Sequence, residues 1–296
     1  MNSDEEMQDQ EIEEEEYRQE PHLTVLQAIG LMVLLLILQL LFSLGFSKLQ
    51  GAISEETNWL HIAITHALSG LLTAKAGAIL AGLSIMAMLM PRKLNGWMIL
   101  PLLVASSGVT ILASELGNVM HRISPIPKEY LDLVNQLFQQ NLAGVLISLA
   151  VIAPVVEEMI FRGIILEGLR VRYTLTTAVF VSALLFGLVH VVPWAILNAF
   201  LLGLFFAWLK LETGSLLLCI VGHSLYNSFP FILNRIISIQ VPGFNTMPGQ
   251  TVQFQPLWFD VLGAILLVAG ITGIRALRTG ATEIETTDRF SGNAPL

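Results

Sequence analysis

The sequence predicts an all-α integral membrane protein, a bundle of about eight transmembrane helices. Of its 296 residues, 54% are hydrophobic and only 13% are charged, whereas a soluble domain carries about 25% charged residues. A helix needs about 20 apolar residues to cross a hydrocarbon core of roughly 30 Å. The runs that reach this length are 23–46, 61–90, 97–118, 142–165, 174–192, 194–211, 214–233 and 257–277.

The first 22 residues are predicted to form an acidic, disordered cytoplasmic tail. Residues 1–20 contain ten acids and one arginine, a net charge of −9. Such a segment cannot bury enough apolar surface to fold. The other 276 residues carry 13 acids and 14 bases. The overall charge of −8 therefore comes from the tail, and nothing in the sequence indicates nucleic-acid binding.

The remainder is predicted to be one polytopic membrane domain over residues 23–278, followed by a C-terminal cytoplasmic tail over 279–296. Between spans three and four, residues 128–141 carry apolar side chains at helical spacing. This pattern predicts an amphipathic helix at the membrane surface.

The distribution of lysine and arginine predicts that both termini are cytoplasmic, because cytoplasmic loops are enriched in these residues. The predicted cytoplasmic set is Arg18, Arg92, Lys93, Arg162, Arg170, Arg172, Lys210, Arg275, Arg278 and Arg289. The opposite set is Lys48, Arg122, Lys128 and Arg235. Because the sequence has no organellar targeting signal, the expected location is a prokaryotic plasma (inner) membrane.

Three groups of polar side chains interrupt the apolar runs, although an intramembrane charge costs roughly 2.5 to 3.5 kcal/mol. Their members are Glu157, Glu158 and Arg162 in span four, His190 in span five, and His223 with Asn227 in span seven. An ion pair at a helix end, or hydrogen bonds between helices worth about 0.6 to 2 kcal/mol, would explain one group at a time. Those explanations are less satisfactory for all three together.

The spacing within each group indicates which side chains can act together. Glu158 and Arg162 are four residues apart and can pair on one helix face, whereas Glu157 points about 100° away and is free for chemistry. His223 and Asn227 also share a face, where an imidazole and a carboxamide can donate hydrogen bonds to a developing oxyanion.

The motifs EExxxR, FxxxH and HxxxN, in that order, resemble those of the CPBP family of intramembrane metalloproteases. This family comprises CaaX prenyl endopeptidases of the Ras-converting type and bacterial bacteriocin-processing or immunity (Abi) relatives. Gly163, Ser182, Phe186 and Gly214 agree with the family pattern beside the motifs. The resemblance covers about residues 142–235, the family-like catalytic core.

The resemblance implies an intramembrane endopeptidase whose active site is buried between helices four, five and seven. It implies that Glu157 and His190 activate a water molecule for attack on a peptide carbonyl. His223 and Asn227 would then stabilise the tetrahedral oxyanion. The expected partners are the lipid bilayer and a membrane-associated peptide or protein substrate, with or without a lipid of its own.

By the same resemblance, Glu158 and Arg162 would orient the site. The role of a metal stays open at this stage. Glu157, His190 and His223 could form a zinc site with two histidines, one carboxylate and a water, or could act without metal. The lack of an HExxH motif, which would fix two ligands on one helix, favours the metal-free alternative.

Two other functions are compatible with the same residues. The chain could be a non-catalytic membrane scaffold or immunity protein on the same fold. It could also be a proton-coupled transporter that uses Glu157, Glu158 and the histidines as a proton relay.

Three geometric expectations follow from the predicted spans. Straight helices place Glu157 and His190 at different depths, so span four or span five must be bent, tilted or wrongly delimited. Lys75 and Glu115 are expected to form an intramembrane ion pair. His66 and His121 lie near span ends, where solvation at the interface suffices.

Overall fold

The computed structural model describes residues 22–51, 59–89, 95–139, 142–246 and 251–290, and within these ranges it is helical without strands. All but the last residue of the predicted acidic tail lies outside them. The described helices are α1 (Val25–Gly51), α2 (Trp59–Ala81), α3 (Ile85–Leu89), α4 (Ile99–Ile123), α5 (Lys128–Gln139), α6 (Leu142–Arg172), α7 (Leu175–Leu188), α8 (Pro193–Thr213), α9 (Leu216–Ile236) and α10 (Leu257–Phe290).

Seven of the described helices are long and apolar enough to cross a membrane, which confirms the predicted all-α integral membrane fold. They are α1, α2, α4, α6, α8, α9 and α10. The fifth predicted span, 174–192, corresponds to α7, which is apolar but has only 14 residues. At 1.5 Å per residue it is about 21 Å long, shorter than the hydrocarbon core.

The segment between α4 and α6 forms the helix predicted for it, α5, over Lys128–Gln139. The sequence of this helix is amphipathic. Its location at the membrane surface stays a prediction. At the other end of the chain, α10 continues to Phe290. The predicted C-terminal tail is therefore still helical for its first twelve residues.

Helix α6 is wider and longer than an ordinary span. It runs for 31 residues to Arg172, seven beyond the predicted end at 165, and it contains π-helical turns at Ile147–Ile152 and Met159–Ile165. Most of its second half is fully buried, including Ile160, Ile164 and Leu166 at 0% exposure. It is therefore the central helix, with the others packed around it.

Contacts between helix ends define two faces of the bundle. Where α1 begins and the apolar part of α10 ends, Leu23 N–H donates to Gly168 O at 2.8 Å, and Arg278 pairs with Glu212 at 2.7 Å. We call this side the terminal face. The side where α2 and α6 begin, at Trp59 and Leu142, is the distal face.

Helices α4 and α10 pack with their backbones in close contact. A Cβ atom at Gly108 of α4 would lie 2.6 Å from Gly263 O of α10, well inside van der Waals contact. Small residues at helix interfaces allow this approach in membrane proteins, where lipid provides no hydrophobic driving force between helices. The pair forms one wall of the bundle next to the polar groups.

Candidate functional site

Glu157 and His190 lie at the same depth in the bundle, which resolves the conflict between their predicted positions. Glu157 is 15 residues before the end of α6 at Arg172, and His190 is 15 residues after the start of α7 at Leu175. The two residues are thus equally far along the chain from the turn that joins α6 and α7, and both line one cavity. The extra length of α6 therefore brings the carboxylate to the level of the imidazole.

Four of the predicted site residues line one cavity of about 720 Å³. Glu157, His190, His223 and Asn227 all line it, from three different parts of the chain. The other two predicted residues, Glu158 and Arg162, lie behind the cavity wall and are completely buried. The structure thus divides the six residues into a cavity group and a supporting pair.

The supporting pair is an ion pair inside the helix bundle. Arg162 Nη1 donates to Glu158 Oε1 at 3.1 Å, and Arg162 Nη2 donates to Gly203 O at 3.3 Å. The guanidinium carbon also lies 4.2 Å from the ring centroid of Phe186, within range of a cation–π interaction. These contacts compensate the desolvation of a guanidinium that is 0% exposed.

The His223 imidazole connects the supporting pair to the cavity. Its Nδ1 donates to Glu158 Oε1 at 2.8 Å, because an ionised carboxylate can only accept. Its Nε2 lies 3.8 Å from Glu157 Oε2, too far for a direct hydrogen bond. The ring also stacks on Phe206, with the two ring centroids 5.3 Å apart. The hydrogen bond to Glu158 and this stacking together fix the orientation of the imidazole.

The tautomer of His190 is set by the backbone at the end of α7. His190 N–H donates to Gly187 O at 3.1 Å, which leaves Phe186 O to accept from His190 Nδ1 at 2.9 Å. A neutral ring that donates from Nδ1 has an acceptor lone pair on Nε2. His190 is therefore suited to take a proton within the cavity.

Asn227 is held by a carbonyl that the sequence of α6 leaves unpaired. Ala153 N–H donates to Ser148 O in the π turn, and Pro154 has no N–H to offer. The carbonyl of Leu149, one residue after Ser148, instead accepts from Asn227 Nδ2 at 2.7 Å. The proline and the π turn thus position a side chain on a different helix.

The described residues include no group of three His, Cys, Asp or Glu side chains close enough together to hold a metal ion. A zinc site formed by Glu157, His190 and His223 stays a prediction. Although Nδ1 of His223 is bound to a carboxylate, as is common for metal ligands, a complete ligand group is not assembled around its Nε2.

Sequence reasoning missed part of the cavity wall. His66 and His121, expected at solvated span ends, both line the cavity, and His121 is only 8% exposed. On α4, Ser114, Asn118 and His121 all contribute. Their spacing of four and three residues is a polar helical stripe that could have been found in the sequence.

The expected ion pair between Lys75 and Glu115 is not formed. Glu115 Oε2 instead accepts from Asn118 Nδ2 at 2.8 Å and from Gln255 N–H at 2.9 Å, whereas Lys75 is exposed on α2. Glu115 therefore ties the chain segment before α10 to the helix that forms the cavity wall.

The fold and the site together define a helical integral membrane protein with a cavity between its helices into which polar side chains project. Within it, residues 139–229 match the model of the Rce1-like family, described as type II CAAX prenyl endopeptidase Rce1-like. The match includes all six predicted site residues and confirms the resemblance to the CPBP, or CaaX protease, family. Comparisons with curated proteins and with solved structures gave no match.

Proposed function

We propose that this protein is an intramembrane endopeptidase of the CaaX-protease type. The observation that supports the proposal best is the gathering of Glu157, His190, His223 and Asn227 around one cavity. These residues combine proton acceptors with hydrogen-bond donors, which is the combination that hydrolysis of an amide requires. All four lie in the segment matched by the family of prenyl endopeptidases.

In the proposed reaction, Glu157 and His190 hold a water molecule between them. As the water oxygen bonds to the peptide carbonyl carbon, its proton passes to Glu157 or to Nε2 of His190. The carbonyl oxygen becomes an oxyanion that accepts hydrogen bonds from His223 and Asn227. Return of the proton to the amide nitrogen lets the carbon–nitrogen bond break and the new amine leave.

The proposed oxyanion contact places a condition on His223. Its Nδ1 proton is already directed at Glu158, so Nε2 can donate only when the ring carries both protons. The buried Glu158 carboxylate holds Nδ1 at 2.8 Å, and Arg162 fixes the carboxylate in turn. Glu158 and Arg162 would therefore act through His223, as positioning residues.

The first prediction is that Glu157→Gln abolishes cleavage while leaving the fold intact. Loss of a general base lowers rates by about 10²- to 10⁴-fold. The side chain is 15% exposed to the cavity and its approach to His223 is 3.8 Å, so the isosteric amide removes no direct hydrogen bond. The measurement compares the termini of membrane proteins in cells expressing the wild type or the variant at matched abundance.

A matched control is Glu167→Gln, ten residues further along α6, where the carboxylate pairs with Arg170 and Lys210 outside the cavity. It should leave all cleavage products in place. Identical termini for wild type and Glu157→Gln, with a phenotype rescued by both, would contradict the peptidase and favour the scaffold or immunity protein. A phenotype lost without any change in termini would favour the proton-coupled transporter.

The second prediction concerns the side-chain carboxamide of Asn227. Asn227→Ala should reduce product formation about 10²- to 10³-fold, the usual effect of removing one oxyanion donor. Pro154→Ala should have a smaller effect in the same direction, because the new N–H competes with Asn227 for Leu149 O. Wild-type rates for Pro154→Ala would show that the carbonyl does not position the side chain. Both variants are assayed by the accumulation of the products identified above.

The location and the lipid state of the substrate belong to the proposal as well. The excess of lysine and arginine at the terminal face supports a cytoplasmic location of both termini, and the membrane is proposed to be a prokaryotic inner membrane. The substrate is proposed to be a membrane-associated peptide or protein, and mass measurement of the new termini would reveal whether it carries a lipid.

A further inference from the structure

We infer that the active-site cavity opens at the distal face, so that the cleaved peptide is presented on the extracytoplasmic side of the membrane. The inference rests on the proposed peptidase function for the nature of the substrate. It goes further by stating which side of the membrane the substrate occupies.

On α4 and α2 the residues that line the cavity are confined to the distal half of the helix, whereas His223, seven residues after the start of α9, lies at the inner end of the cavity. On α4 the lining runs from Ser114 to His121, two residues before the helix ends, and contains none of the first fifteen residues. On α2 it consists of His66, seven residues from the distal end. Ile126 and Tyr130, in the connection after α4 and in α5, complete the wall at the distal face.

The opposite end of the cavity is closed by packed side chains. Below the Glu157 and His223 side chains lie Arg162, Phe186 and Phe206, each 0% exposed. The guanidinium lies 4.2 Å from the centroid of one ring and 5.6 Å from that of the other. A peptide approaching from the terminal face would have to displace this buried layer.

The chemistry of the cavity wall suits a peptide. Eleven of the eighteen lining residues have polar side chains, so the wall offers donors and acceptors to a peptide backbone and to water.

The structure also sharpens the assignment of the two faces. Arg162, counted among the cytoplasmic bases, is buried ten residues before the end of α6 and must be removed from that set. The other nine still outnumber the four on the distal side. The terminal face is therefore the cytoplasmic one by the positive-inside rule, and the mouth of the cavity lies on the other side.

Labelling of single cysteines in intact cells tests the inference. The natural cysteine, Cys219, is buried at 0% exposure and is first removed as Cys219→Ser. Into this background we place Ser124→Cys at the exposed distal end of α4 and Ile126→Cys at the cavity mouth. Thr174→Cys, in the exposed turn between α6 and α7, marks the terminal face.

With a charged maleimide that cannot cross the hydrocarbon core, the two distal cysteines should react at least about tenfold faster than Thr174→Cys. Permeabilisation should remove the difference. The reverse pattern would overturn the inference, as would an Ile126→Cys that reacts from neither side while Ser124→Cys is labelled.

The position of the new termini gives a second readout. Cleavage sites in extracytoplasmic segments of substrates are expected, and cleavage sites confined to cytoplasmic segments would overturn the inference while the peptidase function stands. Conversely, distal labelling of Ile126→Cys with no Glu157-dependent termini would refute the peptidase function but still locate the cavity mouth. The two failures are therefore distinguishable.

Discussion

Arg162→Met is expected to lower the free energy of unfolding by about 3–5 kcal/mol, because it leaves a buried carboxylate without its counter-ion. Glu158 is 0% exposed, and its Oε2 has no hydrogen-bond partner among the described residues. Its charge therefore depends on the two donors at Oε1, Arg162 and His223. Removal of the arginine leaves only one of them.

The measurement is equilibrium unfolding of the purified protein in mixed detergent micelles. Arg170→Met is the matched control on the same helix: its side chain is 47% exposed and pairs with Glu167, so its loss should cost less than about 1 kcal/mol. Glu158→Gln combined with Arg162→Met should recover part of the lost stability, because no unpaired charge remains. Equal effects of Arg162→Met and Arg170→Met would contradict the buried ion pair.

Gly108→Leu is expected to destabilise the protein by about 3 kcal/mol or more, the upper range for a side chain forced into a packed interface. The new Cβ alone would lie 2.6 Å from Gly263 O. Because the neighbouring atoms belong to the backbone of α10, no rotamer change can relieve the contact. Helices α4 and α10 would have to separate along their whole interface.

The same unfolding assay measures this effect, with Gly30→Leu as the control. Gly30 lies in α1, and a Cβ added there meets nothing within 4 Å. That substitution should be neutral or slightly stabilising, since leucine is the better helix former. A Gly108→Leu protein as stable as Gly30→Leu would mean that the two backbones are not in contact.

The sequence predicted most of the fold because crossing a membrane imposes a simple rule on helix length and composition. Prediction from hydropathy failed where polar residues lie inside a helix that continues beyond its apolar run. Glu167, Arg170 and Arg172 suggested that span four had ended, yet α6 includes all three. Glu167 forms ion pairs at the terminal face, with Arg170 at 2.9 Å and with Lys210 at 3.2 Å.

The candidate site was predictable as a set of residues but not as an arrangement. The motifs identified Glu157 and His223, and the structure places them 3.8 Å apart, although one is on α6 and the other on α9. Hydropathy could not reveal that His66 and His121 face the same cavity, because it gives a residue's position along a helix and not the neighbours that helix will have.

Phe186 contacts both imidazoles of the candidate site, His190 and His223, and the buried guanidinium of Arg162. Its ring centroid lies 5.2 Å from that of His190 and 5.8 Å from that of His223, and it lies beneath Arg162. A fluorine atom on this ring would sense the charge of each neighbour without removing any of them. The phenylalanine of the FxxxH motif is thus a suitable position for a fluorine label, and fluorine NMR of that label could follow proton movements in the site.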